Sequence, residues 1–313
     1  MEKCPFFWYA ACIFIRFLGD VCYNALMQGQ KFKQWTCRGR TLTFDRPAVM
    51  GIINVTPDSF YANSRALETD VAVDRGVDFF RDGARILDIG GESTRPGAEP
   101  VTPEEEIRRI VPVITALRKR CPEAFLSVDT RHTAVAAAAL EAGADILNDV
   151  SACEPDAGMW NLAAASGAGY ILMHARGNPK TMDSLTDYRN VTDDVLQTLL
   201  DTAARMEKLG ISSEQIAFDP GLGFSKNHAG SLALLADTRR FASLPYPYLV
   251  AASRKRFLGE ITGRAEAAER GPASVAAALW AVTEGADMVR VHDVRATADA
   301  LKVFLAAKEA RRE

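Results

Sequence analysis

Eight short apolar runs, each followed closely by a polar residue, constrain the fold of this chain more than any other feature of its sequence. The runs are residues 49–55, 86–89, 125–128, 145–147, 170–173, 216–218, 248–252 and 288–291. The longer segments between them carry helix start signals, such as Thr102-Pro103-Glu104, which combines an N-cap, a first-turn proline and an acid. Eight strand–helix units predict an α/β fold, a single-domain (β/α)8 TIM barrel. An open doubly wound sheet is the alternative, although its usual G-x-G-x-x-G turn is absent after the first run.

The polar residues at the ends of the runs predict the functional face. In a closed barrel the carboxyl ends of all strands meet at one mouth. The residues expected there are Asn54, Asp129, Asn148, His174, Asp219, Ser253 and His292. Helix capping explains any single Asp or Asn, but not the whole set. Carboxylates and amides suit a flat heterocycle with N–H donors and carbonyl acceptors.

Cations in the loops near this mouth point to a phosphorylated substrate. They are Arg95, Arg254, Lys255 and Arg290. The glycine-rich segment 219–227 adds Phe224 and Lys226, and Lys226 is either a ligand contact or a solvated loop cation. This segment lacks the spacing of a phosphate-binding P-loop, which disfavours nucleotide hydrolysis. Asp88 lies inside an apolar run and needs a polar partner there.

Composition excludes several other classes of protein. The 313 residues are 48% hydrophobic and carry a net charge of -3, so there is no basic field for nucleic acid. The six cysteines include no C-x-x-C pair, which argues against a zinc site and a disulfide framework and favours the cytoplasm. No Ser/His/Asp spacing indicates an acyl-transfer nucleophile.

The first residues of the chain are expected to lie outside the fold. Residues 4–15 form an uncharged run too short to span a bilayer, and no A-x-A-like site follows to support a secretory signal. We expect residues 1–26 to be an extension, with Met27 a candidate first residue, and no stable membrane association. Residues 27–47 would lead into a barrel formed by residues 48–313.

Eight motifs, in this order, resemble those of the dihydropteroate synthase family. They are MGIINVTPDSF (50–60), DIGGESTRPG (88–97), SVDT (127–130), LND (147–149), MH (173–174), DPGLGF (219–224), SRK (253–255) and RVHD (290–293). The resemblance implies a (β/α)8 barrel that condenses (7,8-dihydropterin-6-yl)methyl diphosphate with 4-aminobenzoate, releasing diphosphate, in tetrahydrofolate biosynthesis.

The resemblance also implies a role for each matching residue. The pterin would be held by Asp129, Asn148, Asp219 and Lys255, and its slot or the neighbouring aminobenzoate channel would be lined by Met173 and Phe224. The residues implied around the diphosphate are Thr94, Arg95, Arg290 and His292, with Asn54 as a ligand of Mg²⁺. Those implied beside the aminobenzoate are Pro96, Ser253 and Arg254. The expected catalytic residues are Lys255, Arg95 and Asp129.

Two departures from the family pattern keep alternatives open. Residues 61–64 replace the common Ser-Asp-Gly-Gly and remove an acidic residue from the first loop, and Ala175 replaces a common methionine. A pterin-binding methyltransferase-type barrel and a non-catalytic paralogue are the alternatives. The sequence leaves the oligomeric state open, with a homodimer as one candidate.

Overall fold

A closed ring of parallel strands forms the centre of the molecule. The computed structural model describes residues 32–55, 62–92, 101–151, 158–178 and 180–311, with the backbone alone for residues 62–68. The strands of the ring are β3 (Ala48–Asn54), β4 (Ala84–Gly90), β5 (Phe125–Asp129), β6 (Ile146–Asp149), β7 (Gly169–Met173), β8 (Ile216–Asp219), β9 (Leu249–Val250) and β10 (Met288–Val291). They lie in the order β8-β7-β6-β5-β4-β3-β10-β9. A parallel bridge between Phe218 and Tyr248 joins the two outer strands, which confirms the predicted barrel.

Most strands differ from the predicted runs by one or two residues at an end, and the differences at β6 and β9 have a visible cause. Asp145 precedes β6 instead of beginning it, because its carboxylate is held outside the strand by the backbone N–H of Leu126 at 2.9 Å, by Arg40 at 3.0 Å and by Arg118. β9 is only two residues long, although the apolar run there covers residues 248–252. Apolar residues beyond the paired segment are buried by packing and need no strand hydrogen bonds.

Helices connect the strands and surround the ring. Their bounds are Ala62–Arg81, Pro103–Arg120, Thr133–Glu141, Met159–Ser166, Val191–Lys208, His228–Ala236, Thr238–Ala242, Arg256–Thr262, Gly271–Thr283 and Val294–Ala310. The predicted cap is present, since the Thr102 side chain accepts a hydrogen bond from the Glu105 N–H. None of the helices in the described part of the chain has the length and apolarity that a membrane crossing demands.

A β-hairpin closes the amino end of the barrel. Its strands are β1 (Gln34–Cys37) and β2 (Arg40–Thr43), within the segment predicted as a lead-in. The indole of Trp35 is fully buried and donates to the Gln215 carbonyl at 2.7 Å. A methyl group at Gly169 would lie 2.4 Å from the sulfur of Cys37, so only glycine fits there. The hairpin thus completes an inner core that is separate from the core between strands and helices.

Candidate active site

The carboxyl ends of the strands open into one cavity of about 560 Å³. Sequence-predicted residues that line it are Asn54, Asp129, Phe224, Ser253, Arg254, Lys255, Arg290 and His292. They come from five separate motifs, and the barrel places them together because its strands are parallel and closed. The cavity therefore combines carboxylate, amide, imidazole and cationic groups at one mouth.

Arg290, on β10, links two buried carboxylates. Its guanidinium donates to Asp88 at 2.7 Å from Nε and contacts Asp129 through Nη2. Burial raises the pKa of Asp129, and the charge of Arg290 opposes that rise. The sequence required a polar partner for Asp88, and the structure supplies two. One is Arg290, and the other is Asn148, whose Nδ2 donates to the Oδ2 of Asp88 at 3.2 Å.

Lys255 lies at the centre of the pterin-holding set predicted from the sequence. Its Nζ is 4.0 Å from the centroid of the Phe224 ring, a cation–π contact. Burial lowers the pKa of Lys255 to about 8, against the opposing charge of Asp219. Asp219 ends β8, accepts a hydrogen bond from the Gly221 N–H at 2.7 Å, and has its pKa raised by burial.

Lys226 is not a solvated loop cation. It is 4% exposed, and its Nζ contacts the carbonyl oxygens of His174 and Phe224 at 2.9 and 2.8 Å and the Nδ1 of His174 at 2.9 Å. Burial first, and then the charge of Lys226, lower the pKa of His174 to about 2, so its imidazole is neutral. His174 is therefore part of the support of this loop and is not among the residues that line the cavity.

The rim of the mouth is held by contacts that the sequence did not predict. Ser253 lies with its Oγ 3.0 Å from Nδ1 of His292 and also accepts the His292 backbone N–H. Arg254 has a φ of 60°, in the left-handed region. Its N–H donates to the Ser274 hydroxyl at 2.9 Å, and its carbonyl accepts from Arg270. These bonds hold a non-glycine residue in a conformation that it rarely adopts alone.

Several predicted residues are not at the cavity surface or are not described. Asn148, Asp219 and Met173 are buried at the ends of β6, β8 and β7, below the residues that line the large cavity. Thr94, Arg95 and Pro96 lie outside the described residues, as does Tyr61 of the altered first loop. Ala175 lines a smaller cavity of about 30 Å³, which Asp129 and Phe224 also border.

One group of described residues has donors suited to a divalent metal ion. The ligand atoms of Glu92, Glu106 and His132 lie within 4.8 Å of one another. Burial raises the pKa of Glu106 to about 7, and Glu92 pairs with Arg131 at 2.9 Å. No sequence motif links these residues, because they belong to separate elements that only the barrel brings together.

Comparison with known proteins identifies the family. The model of a family described as "Pterin binding enzyme" matches residues 50–292. The dihydropteroate synthase of Synechocystis sp. is 41% identical over 268 residues, which are 85% of this chain and 92% of that protein. This chain belongs to the dihydropteroate synthase family. The family that the eight motifs resembled is thereby confirmed.

Solved dihydropteroate synthases share the fold. The structure from Xanthomonas albilineans with 4-aminobenzoic acid has a TM-score of 0.82 and 42% identity, covering 89% of this chain and 99% of that one. The structure from Burkholderia cenocepacia complexed with 7,8-dihydropteroate has a TM-score of 0.81 and 42% identity, covering 90% and 98%. The dihydropteroate synthase barrel is thus present almost in full in this chain.

Proposed function

We propose that the mouth of this barrel condenses (7,8-dihydropterin-6-yl)methyl diphosphate with 4-aminobenzoate to give 7,8-dihydropteroate and diphosphate. The chain is an enzyme, a transferase, as its family is. The observation that carries the assignment of residues is the meeting of carboxylates and cations at one mouth: Asp129, Lys255 and Arg290 line the cavity, and Asp219 is buried beside Lys255. The solved relatives with 4-aminobenzoic acid and with 7,8-dihydropteroate support this substrate pair.

The pterin is held by the inner part of the mouth. Asp129, Asn148 and Asp219 supply oxygen acceptors, which match ring N–H and amino groups. Lys255 supplies a donor against the face of Phe224, whose ring is placed to lie against a flat heterocycle. Asn148 and Asp219 are buried, whereas Asp129, Phe224 and Lys255 are half-buried and line the cavity.

The diphosphate is held by donor side chains that line the same cavity. Arg290 and His292 line the cavity, and the proposal adds Thr94 and Arg95 from the resemblance alone. Asn54 fits a Mg²⁺ ligand, because it is exposed at the end of β3 and offers a neutral oxygen within the same cavity. When bound, Mg²⁺ supplies positive charge to the leaving diphosphate. The Glu92, Glu106 and His132 group is not assigned to it, since Glu92 already pairs with Arg131.

The reaction needs no enzyme nucleophile. The carbon–oxygen bond to the diphosphate breaks, the electron pair leaves with the diphosphate, and the amine of 4-aminobenzoate attacks the methylene carbon and loses a proton. Ser253 and Arg254, with Pro96 from the resemblance, are proposed to flank the aminobenzoate at the rim. Positioning and charge stabilisation are then the whole contribution of the protein.

Diphosphate release tests the proposal. The full chain is mixed with the pterin diphosphate, 4-aminobenzoate and Mg²⁺, and both diphosphate and 7,8-dihydropteroate are measured. We expect equal amounts of the two products, and a loss of about 100-fold in kcat/KM for Asp219→Asn, since a donor would face the donors of the pterin. Asp183→Asn, which makes the same exchange at a half-exposed residue of the cavity lining, is the matched control. Pterin binding without product formation would contradict the proposal and favour a non-catalytic paralogue.

Two further expectations belong to this proposal. We place the enzyme in the cytoplasm. Cys37 and Cys121, the cysteines within the described residues, are free thiols, and a reducing compartment would keep them so. Its expected partners are the two small substrates, without nucleic acid. A homodimer stays a prediction that sedimentation would test.

A further inference from the structure

We propose that Asp88 is a positioning residue, one that sets the orientation of the Asn148 amide and so makes the inner edge of the pterin site accept hydrogen bonds. The inference rests on the proposed function and adds a residue to it. Asp88 lies in β4 and Asn148 lies in β6, with β5 between them. The β5 residue paired with Asp88 is Ser127, whose small side chain leaves room for the contact.

Asp88 is held inside the barrel by two donors. Its side chain is fully inaccessible to solvent. Its Oδ2 accepts from Asn148 Nδ2 at 3.2 Å and from Arg290 Nε at 2.7 Å. A carboxylate at this depth is stable only because both neighbours donate to it. Asp88 touches neither the large nor the small cavity, so it acts on a ligand only through these two neighbours.

The contact with Asp88 fixes which end of the Asn148 amide faces the site. A carboxylate accepts hydrogen bonds but does not donate them, so the end of the amide that faces Asp88 must be the NH2 group. The other end, Oδ1, is then the acceptor that remains. Among the residues that the structure describes, none donates to this oxygen. Without Asp88 the amide could rotate and present its NH2 group instead.

The rest of the site also offers acceptors. Asp129 is the β5 partner of Asn148, and Lys255 interacts with both Asp129 and Asp219, so a fixed Asn148 oxygen gives three acceptor groups in one region. Such an edge fits a heterocycle that carries a ring N–H and an exocyclic amino group side by side. It rejects one that offers acceptors there, because buried like groups would be left unpaired. Asp88 is therefore a determinant of substrate specificity without contact to substrate.

A simpler role is that Asp88 only balances the charge of Arg290. Exchanging the two side chains separates the roles. In the double variant Asp88→Asn with Asn148→Asp, the amide introduced at position 88 donates to the carboxylate introduced at position 148. The second oxygen of that carboxylate remains an acceptor, and the number of charges is unchanged. The exchange restores the acceptor edge, but it removes the carboxylate that contacts Arg290 directly.

Four forms of the full chain are compared: wild type, Asp88→Asn, Asn148→Asp and the double variant. The probe is 6-hydroxymethyl-7,8-dihydropterin, which lacks the diphosphate, and its Kd is measured by calorimetry with circular dichroism as the test of folding. We expect Asp88→Asn to weaken binding on the order of 10- to 100-fold, and the double variant to regain at least about 10-fold. In kinetics, KM for the pterin diphosphate should rise while KM for 4-aminobenzoate stays within about twofold.

Two results would overturn the inference. One is Asp88→Asn binding the pterin as tightly as wild type. The other is a double variant that binds no better than either single variant. If Asp88→Asn does not fold, the pterin Kd of the double variant is compared with that of Asn148→Asp. Equal Kd values for these two variants would refute the positioning role of Asp88. Diphosphate release by the wild type is measured in parallel, so failure of the proposed function is distinguishable from failure of this inference.

Discussion

At the scale of single residues, burial sets the chemistry of the mouth. Lys255 and Asp219 have ordinary side chains, but burial in the barrel, complete for Asp219 and partial for Lys255, lowers the pKa of the amine and raises that of the carboxyl group. Burial thus brings the titration of Lys255 close to neutral pH. The consequence is a pH dependence of substrate binding that a surface lysine would not show.

The affinity for the pterin diphosphate should fall as pH rises through about 8. Lys255, whose pKa burial lowers to about 8, is charged below that pH and neutral above it. Its contribution to binding is therefore present at neutral pH and lost on the alkaline side. We expect about a tenfold weaker Kd one unit above the midpoint, measured by calorimetry from pH 6.5 to 9.5.

The variant Lys255→Arg provides the comparison. Arginine keeps its charge throughout this range, so the alkaline fall in affinity should disappear even if the binding itself is weaker. A fall of the same size at the same pH in this variant would show that another group titrates.

At the scale of elements, the loop after β8 is a rigid support. Lys226 ties the loop to the end of β7 through the carbonyl oxygens of His174 and Phe224. Gly221 has a φ of 67°, and a methyl group there would lie 1.9 Å from the His174 carbonyl oxygen. Only glycine therefore fits at this position. Phe224 is thereby held against Lys255.

Lys226→Met should destabilise the protein by about 3 kcal/mol. Methionine fills similar space but donates no hydrogen bond, so buried carbonyl oxygens lose their partner. The free energy of unfolding in urea measures the effect. Lys180→Met, at an exposed loop position, is the control and should change stability by less than about 0.5 kcal/mol. Equal stability of both variants would contradict the buried role of Lys226.

At the scale of the whole molecule, the two ends of the barrel have separate tasks. The carboxyl end holds the site, and the amino end is closed by the hairpin β1–β2, whose Trp35 and Leu42 fill the inner core. The segment 34–47 therefore contributes to the stability of a barrel whose own first strand begins at Ala48. Removal of this segment should lower the stability of the barrel, and it should affect the active site only through that loss of stability.

Truncation tests this division. Removing residues 1–26 should leave unfolding and diphosphate release unchanged, because the described core begins with Trp35. Removing residues 1–47 exposes the inner core, and loss of a buried Trp alone costs about 3–5 kcal/mol. Soluble yield, thermal unfolding and turnover measure both. Loss of soluble protein on the shorter deletion would contradict the domain boundaries predicted from the sequence.

The sequence alone determined the barrel, its family and eight of the residues that line the mouth. These features are local: apolar runs alternate with helical segments, Asn54 and Asp129 end their strands, and Ser253 directly follows the apolar run 248–252. A polar residue at the carboxyl end of a barrel strand is expected at the mouth from its position in the sequence alone. The exceptions among the predicted residues are Asn148, His174 and Asp219, which are buried and do not line the cavity.

Only the tertiary structure decided which of these residues contact one another. Asp88 and Arg290 are 202 positions apart, and Lys226 lies 52 positions from His174, so no local pattern connects them. The hairpin was missed because its residues pack against the strand starts of a barrel that must first close. The burial of Lys226, and the lowered pKa of Lys255, follow from that closure, since the sequence specifies a side chain but not the water around it.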